Sequence, residues 1–262
     1  MDKVALCAIG RLENRYAVEF VEHYLSTGFD CIFIYDNNQG REEHFEEVLS
    51  GYDKVEIVNW RDRTNCQLSA YNHCYINHKY EYDWIAFFDF DEFLIIPQSD
   101  IHDYLCNFTA QDCILINWMM MTDNNIITDD GRPCMERFTE PMPFDKAITY
   151  DFPENDHIKS IVRGGIRDMR FTRNPHIPGT PLRCCDTKGN PCQQSPFHPY
   201  DFSNGYLRHF CTKTIDEWLH YKVVRGYPDK NTHKLKMNYI EMFFARNDRT
   251  AEKEKFINNW EK

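Results

Sequence analysis

Residues 84–93 read Trp-Ile-Ala-Phe-Phe-Asp-Phe-Asp-Glu-Phe. An unbroken apolar run that gives way at once to an Asp-x-Asp pair describes a strand covered on both faces that stops in a polar turn. Upstream, the same pattern recurs. Val4–Ile9 is a short apolar run, and Cys31–Tyr35 is a second that stops at Asp36-Asn37-Asn38. Val55–Trp60 is a third, ending at Arg61-Asp62. Between them lie helical patterns. Tyr16–Leu25 carries apolar residues at helical spacing and meets Gly28; Glu42–Leu49 is closed by Gly51; Gln67–Tyr80 is the third. Strands alternating with helices over residues 1–98 predict repeated βαβ units and a mostly parallel sheet flanked by helices. In such a sheet ligands bind beyond the carboxyl ends of the strands, where Asp36, Arg61-Asp62 and Asp89-Phe90-Asp91 fall.

Downstream of Leu94 the alternation weakens. A helix over Ile101–Phe108 and a strand over Cys113–Met119 are expected, and residues 123–205 then become rich in Asp, Asn, Pro and Gly with little periodicity. So long an irregular stretch inside a compact domain is usually functional. Thr214-Ile215-Asp216-Glu217 is a capping box opening a helix to about Val224, and Lys234–Trp260 has a helical pattern. The expected organisation is one domain, with residues 1–98 binding a nucleotide and residues 99–262 binding an acceptor.

The 262 residues carry 30 Lys and Arg against 41 Asp and Glu, a net charge of −11. So acidic a chain repels nucleic-acid phosphates, and a nucleic-acid partner is not expected. Met1-Asp2-Lys3-Val4 leads into a strand rather than a signal peptide, no run has the length of a membrane span, and the expected setting is cytoplasmic. Eleven cysteines fit reduced thiols. Cys184, Cys185 and Cys192, flanked by His176 and His198, form a candidate structural zinc set, although no paired C-x-x-C knuckle is present.

Asp89 and Asp91 are the sharpest chemical signal. Turned at a strand end, both carboxylates can reach one divalent ion, and hard oxygen ligands suit Mg²⁺ or Mn²⁺ bridging to substrate phosphates. The chain has no G-x-x-x-x-G-K-[ST], no G-x-G-x-x-G after Val4–Ile9 and no G-x-S-x-G, which argues against P-loop, dinucleotide-binding and common hydrolase sites.

Several ordered blocks carry a resemblance. CAIGRLENRYAVEFVEHYLSTGFDCIFIYDNN, Trp60 with Gln67–Tyr71, DWIAFFDFDEFL, IKSIV at 158–162, Asn174-Pro175-His176 and residues 209–226 together resemble a bacterial glycosyltransferase-2-like family related to the family 92 galactosyltransferases. The resemblance implies a GT-A fold and transfer of a hexose from a nucleotide sugar, UDP-hexose first and UDP-galactose among the candidates. The acceptor would be a glycan, free or lipid-linked, at the inner face of a membrane. By similarity, Asp89 and Asp91 hold Mn²⁺ or Mg²⁺ and the donor diphosphate, with His209 as a further metal ligand. Asp36 and Glu13 contact the nucleoside, Gln67 and Phe90 line the same pocket, and Lys213 and Lys159 neutralise phosphate. His176 contacts substrate. Two blocks depart from the family pattern: Lys-Asn-Glu reads Arg11-Leu12-Glu13, and His-Tyr reads His209-Phe210.

An inverting transfer needs a base for the acceptor hydroxyl. Asp123 is the expected one, with Asp129, Asp130 and Glu140 as competitors, whereas Glu92 is expected to orient the metal loop or to pair with a basic residue. Lys222 and Arg225 read as a solvated helix face or a phosphate-facing rim. The rival expectations are a metal-dependent phosphatase or nucleotidyltransferase using Asp89 and Asp91, and a binding protein that keeps the fold without turnover.

Overall fold

The computed structural model of the chain describes residues 2–98, 100–225 and 236–249. Its elements are, in order, β1 (Val4–Gly10), α1 (Asn14–Ser26), β2 (Cys31–Asp36), α2 (Glu46–Leu49), β3 (Val55–Asn59), α3 (Gln67–His78), β4 (Trp84–Phe87), β5 (Glu92–Ile95), α4 (Ile101–Leu105), β6 (Cys113–Met120), α5 (Cys134–Arg137), β7 (Ile158–Arg163), β8 (Cys184–Cys185), β9 (Tyr206–His209), α6 (Ile215–Trp218) and α7 (Lys236–Arg246). A 3₁₀ turn at Glu154–Asp156 precedes β7, and a π-helical stretch, Leu219–Val224, follows α6.

The strands form one sheet in the order β3-β2-β1-β4-β7-β6-β9-β5, with β8 beside β6. Neighbours among β3, β2, β1 and β4 are parallel; β7 runs antiparallel to both β4 and β6, and β5 antiparallel to β9. Alternation along the strands divides the core. Val4, Leu6 and Ala8 of β1 join Phe20, Val21 and Tyr24 of α1 on one face. Ala5 and Cys7 join Tyr71, Cys74 and Tyr75 of α3 on the other. Period two on the strand against period 3.6 on the helices is what makes both faces dry. A parallel half carrying the Asp-x-Asp turn, continued by a mixed half in which β6 pairs in parallel with β8 and β9, is the GT-A-type architecture expected.

Besides the two-residue β8, three strands lie where no strand was expected. Glu92–Ile95, read as part of the polar turn, forms β5; Tyr206–His209 forms β9; and Ile158–Arg163, inside the supposedly irregular stretch, forms β7 at the centre of the sheet. The helix expected over Glu42–Leu49 shrinks to α2, because Glu42 is drawn to Arg11 and the Gln39 N–H, and Glu43 to the Asn14 N–H. The Thr214–Glu217 capping box forms as expected, but the helix turns π-helical after Trp218. Of the helix expected over Lys234–Trp260, α7 lies within the described residues and the rest outside them.

None of the cysteines forms a disulfide. Among the described residues no helix is long and apolar enough to cross a membrane.

Candidate active site

The site begins with a close approach. Gly10, the last residue of β1, has no side chain, and a Cβ there would meet the Phe90 ring at 2.7 Å and Phe45 at 2.8 Å. The Phe90 ring fills that space, stacking on Phe45 with centroids 5.1 Å apart and packing on Phe20. Phe90 is thus a core anchor between two carboxylates rather than a ring offered to a ligand; it is 3% exposed. The turn closes on itself: Glu92 Oε2 accepts from the Asp89 N–H at 2.9 Å, and the Asp89 carbonyl accepts from the Glu92 N–H at 3.0 Å.

Asp89 and Asp91 then part company. Asp89 Oδ1 accepts from Gln67 Nε2 at 2.8 Å and Tyr71 Oη at 3.1 Å, and Lys159 Nζ lies 2.9 Å from Oδ2. Lys159 is fully buried, with Glu92 Oε2 also at 3.5 Å. The phosphate-neutralising role expected of Lys159 is therefore corrected: its charge already answers two carboxylates inside the core. Burial alone would push the Lys159 ammonium down, but Asp89 and Glu92 outweigh it and raise it. Glu92 orients the turn as expected; burial, with Asp89 and Asp91 alongside, raises its carboxyl against the pull of Lys159.

Asp91 turns the other way, toward His209 at the end of β9, with Oδ1 3.6 Å from Nε2. Burial favours the neutral acid, yet His209, Lys213 and Lys222 hold Asp91 well below the usual carboxylate range. His209 is pushed down by burial despite Asp91, and among the described residues its Nδ1 finds no partner. A carboxylate and an imidazole side by side suit Mn²⁺, and the carboxylate alone would suit Mg²⁺; either ion keeps remaining positions for water and substrate phosphate. Asp89 would join them only by giving up Lys159, so the pair that fits an ion is Asp91 with His209.

Both residues open on a cavity of about 390 Å³ beyond the carboxyl ends of β1 and β4. Its wall gathers Glu13, Gln67, Asp89, Phe90, Asp91, His176 and His209 from the expected set. His176 Nδ1 lies 2.8 Å from the Ile158 carbonyl, which assigns the proton to Nδ1 and leaves Nε2 an acceptor. Burial, and then Lys159, push His176 down to about 4. Lys213 sits behind Asp91 in a gap of about 10 Å³ shared with Glu13. Burial lowers its ammonium, but Asp91 and Glu13 hold it above its ordinary value, and its backbone is left-handed at φ 52°.

Besides Lys159 and Lys213, two expected residues are not brought to the cavity. Asp36 ends β2 as foreseen, but its carboxylate takes Arg61 Nη1 at 2.8 Å and both nitrogens of Asn38, and it is 2% exposed. Asp123 is corrected as the base. Its carboxylate caps the Asn125 N–H and pairs with Arg249 at 3.0 Å, with 2% exposure, away from the cavity wall. Asp129 pairs with Arg15 and Arg137, and Asp130 with Arg132. Cys184, Cys185, Cys192, His176 and His198 do not converge on one point. Among the described residues the group that does is Asp36, His44 and Glu46, where Arg61 already answers the one buried carboxylate.

Several wall residues were not assigned from sequence. Tyr71, fully buried behind the wall on Asp89, stood in the quoted block but had no role. Trp118, Tyr150, Glu154, His157 and Arg246 come from β6, the following loop, the 3₁₀ turn and α7. Lys222 and Arg225 resolve toward the rim rather than a solvated face. Arg225 binds Glu13 and, at 2.8 Å, the Arg11 carbonyl. A pair at i, i+3 was the available signal; nothing local marked the others.

The family comparison agrees with this geometry. Residues 6–243 match the profile of glycosyltransferase family 92. A family 92 protein of Oryza sativa subsp. japonica is 28% identical over 113 residues, 41% of this chain and 19% of the relative. One of Arabidopsis thaliana is 28% identical over 125 residues, 43% of this chain and 22% of the relative. The chain thus matches about a fifth of the length of these curated relatives, which are plant rather than bacterial proteins. A crystal structure of S. aureus TarS, residues 1–349, is similar at a TM-score of 0.38 and 13% identity, covering 62% of this chain and 47% of that one. With the match running through nearly the whole chain, from β1 to α7, this chain belongs to glycosyltransferase family 92.

Proposed function

We propose that this chain transfers a hexose from a nucleotide sugar, UDP-hexose foremost, to a glycan acceptor, with Mn²⁺ or Mg²⁺ held by Asp91 and His209. The observation that carries the reading is Asp91 Oδ1 3.6 Å from His209 Nε2 on a cavity whose wall also bears Lys222, Arg225 and Arg246. When bound, the ion supplies positive charge to the leaving diphosphate. Lys222 and Arg225 lie where they add to that field, and Lys213 keeps Asp91 ionised from behind. Gln67 and Tyr71 fix Asp89, and with it the pitch of the turn. His176 offers Nε2 to an acceptor hydroxyl. A place at the inner face of a membrane and a lipid-linked acceptor belong to the same reading and rest on the family resemblance.

The cavity carboxylates each face a cation or imidazole: Asp89 with Lys159, Asp91 with His209, Glu13 with Arg225 and Glu154 with Arg246. That observation favours a second reading, a protein that binds nucleotide and glycan without turnover. Calorimetric titration of UDP, ADP, GDP and CDP, with and without Mn²⁺, separates them when repeated on Asp91→Asn. The expected result is metal-dependent binding of one nucleotide, weakened about a hundredfold or more in Asp91→Asn, which is about 2.7 kcal/mol. Binding without sugar transfer or hydrolysis would establish the second reading. No nucleotide binding at all would overturn both.

A further inference from the structure

The cavity wall is charged on one side and aromatic on the other. Trp118 of β6 stacks on His157 with centroids 4.8 Å apart and planes 12° from parallel. His157 meets Phe197 edge-on at 4.9 Å, Phe197 packs on Phe152 at 4.7 Å, and Phe152 stacks under Tyr150 at 4.9 Å and 7°. The ladder ends in Tyr150, which lines the cavity and is nevertheless 44% exposed. Its hydroxyl takes no hydrogen bond from the described residues, so the ring is held by its face alone. A half-exposed tyrosine packed on Phe152, His157 and Phe197, with Trp118 behind His157, is a platform, because ring contacts have already fixed its orientation.

Beside the platform stand groups that can meet hydroxyls. His157 Nδ1 lies 2.9 Å from the Glu154 carbonyl, which assigns its proton there and leaves Nε2 an acceptor. Thr149 and the Glu154–Arg246 pair, with N–O 2.9 Å, line the same wall. A flat apolar face bordered by donors and acceptors matches a pyranose ring, which presents C–H bonds on one face and hydroxyls at its edge. A lipid chain would leave those polar groups unanswered. A nucleobase belongs across the sheet: Glu13 follows β1 and Gln67 opens α3, whereas Tyr150 and His157 lead into β7 on the far side of β4.

We infer that Tyr150, backed by Phe152, Phe197, His157 and Trp118, is the subsite that holds a pyranose ring of the acceptor glycan. The inference rests on the glycosyltransferase reading, and its test is built to fail separately. Saturation-transfer NMR of methyl β-D-galactopyranoside, methyl β-D-glucopyranoside and methyl N-acetyl-β-D-glucosaminide is measured on the full chain, with nucleotide binding followed by calorimetry. At least one pyranoside should receive saturation through its ring C–H protons. Its Kd should rise about tenfold in Tyr150→Ala and stay within about twofold in Tyr150→Phe, while the nucleotide Kd is unchanged in both. Unchanged pyranoside binding in Tyr150→Ala, or nucleotide-binding wild-type protein that saturates none of the three, would overturn the subsite. Loss of nucleotide binding with pyranoside binding intact would instead strike the donor-site reading.

Discussion

Strands β1 to β4 and strands β6, β7 and β9 share one sheet, but different contacts secure them. The first group presents alternate apolar residues to α1 and α3, and its order follows from short-range periodicity. The second shares those apolar cores through Ile114, Ile116, Ile161 and Leu207, and adds polar ties across long separations. Asn155 Oδ1 accepts from the Met120 N–H, Asn117 Nδ2 donates to the His198 carbonyl, and Arg137 grips Glu217 through both terminal nitrogens. Apolar faces tolerate many partners, whereas such ties each need one. The first half is therefore a scaffold and the second a set of individually specified positions. Lys159, on β7 at the seam, is where the two regimes meet.

The most severe way to break that contrast is at the seam. Lys159→Met keeps the volume but leaves Asp89 and Glu92 without their buried countercharge, a loss on the order of 3–5 kcal/mol. Urea denaturation should show it, and adding Glu92→Gln should restore part of the loss. If the single variant is as stable as wild type, the polar regime is not what secures β7. Within the scaffold, Gly10→Ala should cost about 1–3 kcal/mol by forcing a methyl against Phe90. Because Phe90 carries the turn, the same variant should weaken metal-dependent nucleotide binding; a purely thermal effect would show that the turn is held elsewhere.

A smaller effect should run in the opposite direction. Leu12 has φ 56°, a conformation that a bulky side chain resists and asparagine tolerates. Leu12→Asn should therefore stabilise the chain by about 0.5–1 kcal/mol in thermal melts. The smallest expected effect lies in the second half. The hydrogen-bonded Arg15, helped by the Gly131 N–H and by Arg137, lowers Asp129 from 3.8 to about 2 against the opposing effect of burial. A carboxyl depressed on folding adds stability that is complete above its unfolded value and disappears as pH falls through its folded one. Asp129→Asn should thus cost about 0.5 kcal/mol at neutral pH after solvent screening, with the two proteins converging between pH 3.8 and 2.

What could be read from the chain follows the same division. The four parallel strands and the Asp-x-Asp turn were legible because apolar runs and their polar ends are local. β5 and β9 were not, because each is short and finds its partner more than a hundred residues away. β7 lay in a quoted motif yet read as loop, since Lys159 interrupts its apolar pattern and only Asp89 and Glu92 explain why a lysine can be buried there. The site divided likewise. Asp91 with His209 lies on the cavity as expected, while Asp36 and Asp123 looked available until Arg61 and Arg249 came into view. A sequence names the acids; it does not say which have already met an arginine.

The contact between Gly10 and Phe90 bears on how specificity in such a site can change over time. The atom count at position 10 sets how deeply the ring seats, and the ring sets where the flanking carboxylates point. A cavity-wall position with no side chain and no charge therefore acts as an adjusting screw for the chemistry. Surveys that rank residues by polarity would leave it out. A library that varies residues 10, 45 and 90 together would move Asp89 and Asp91 in small steps without touching either one.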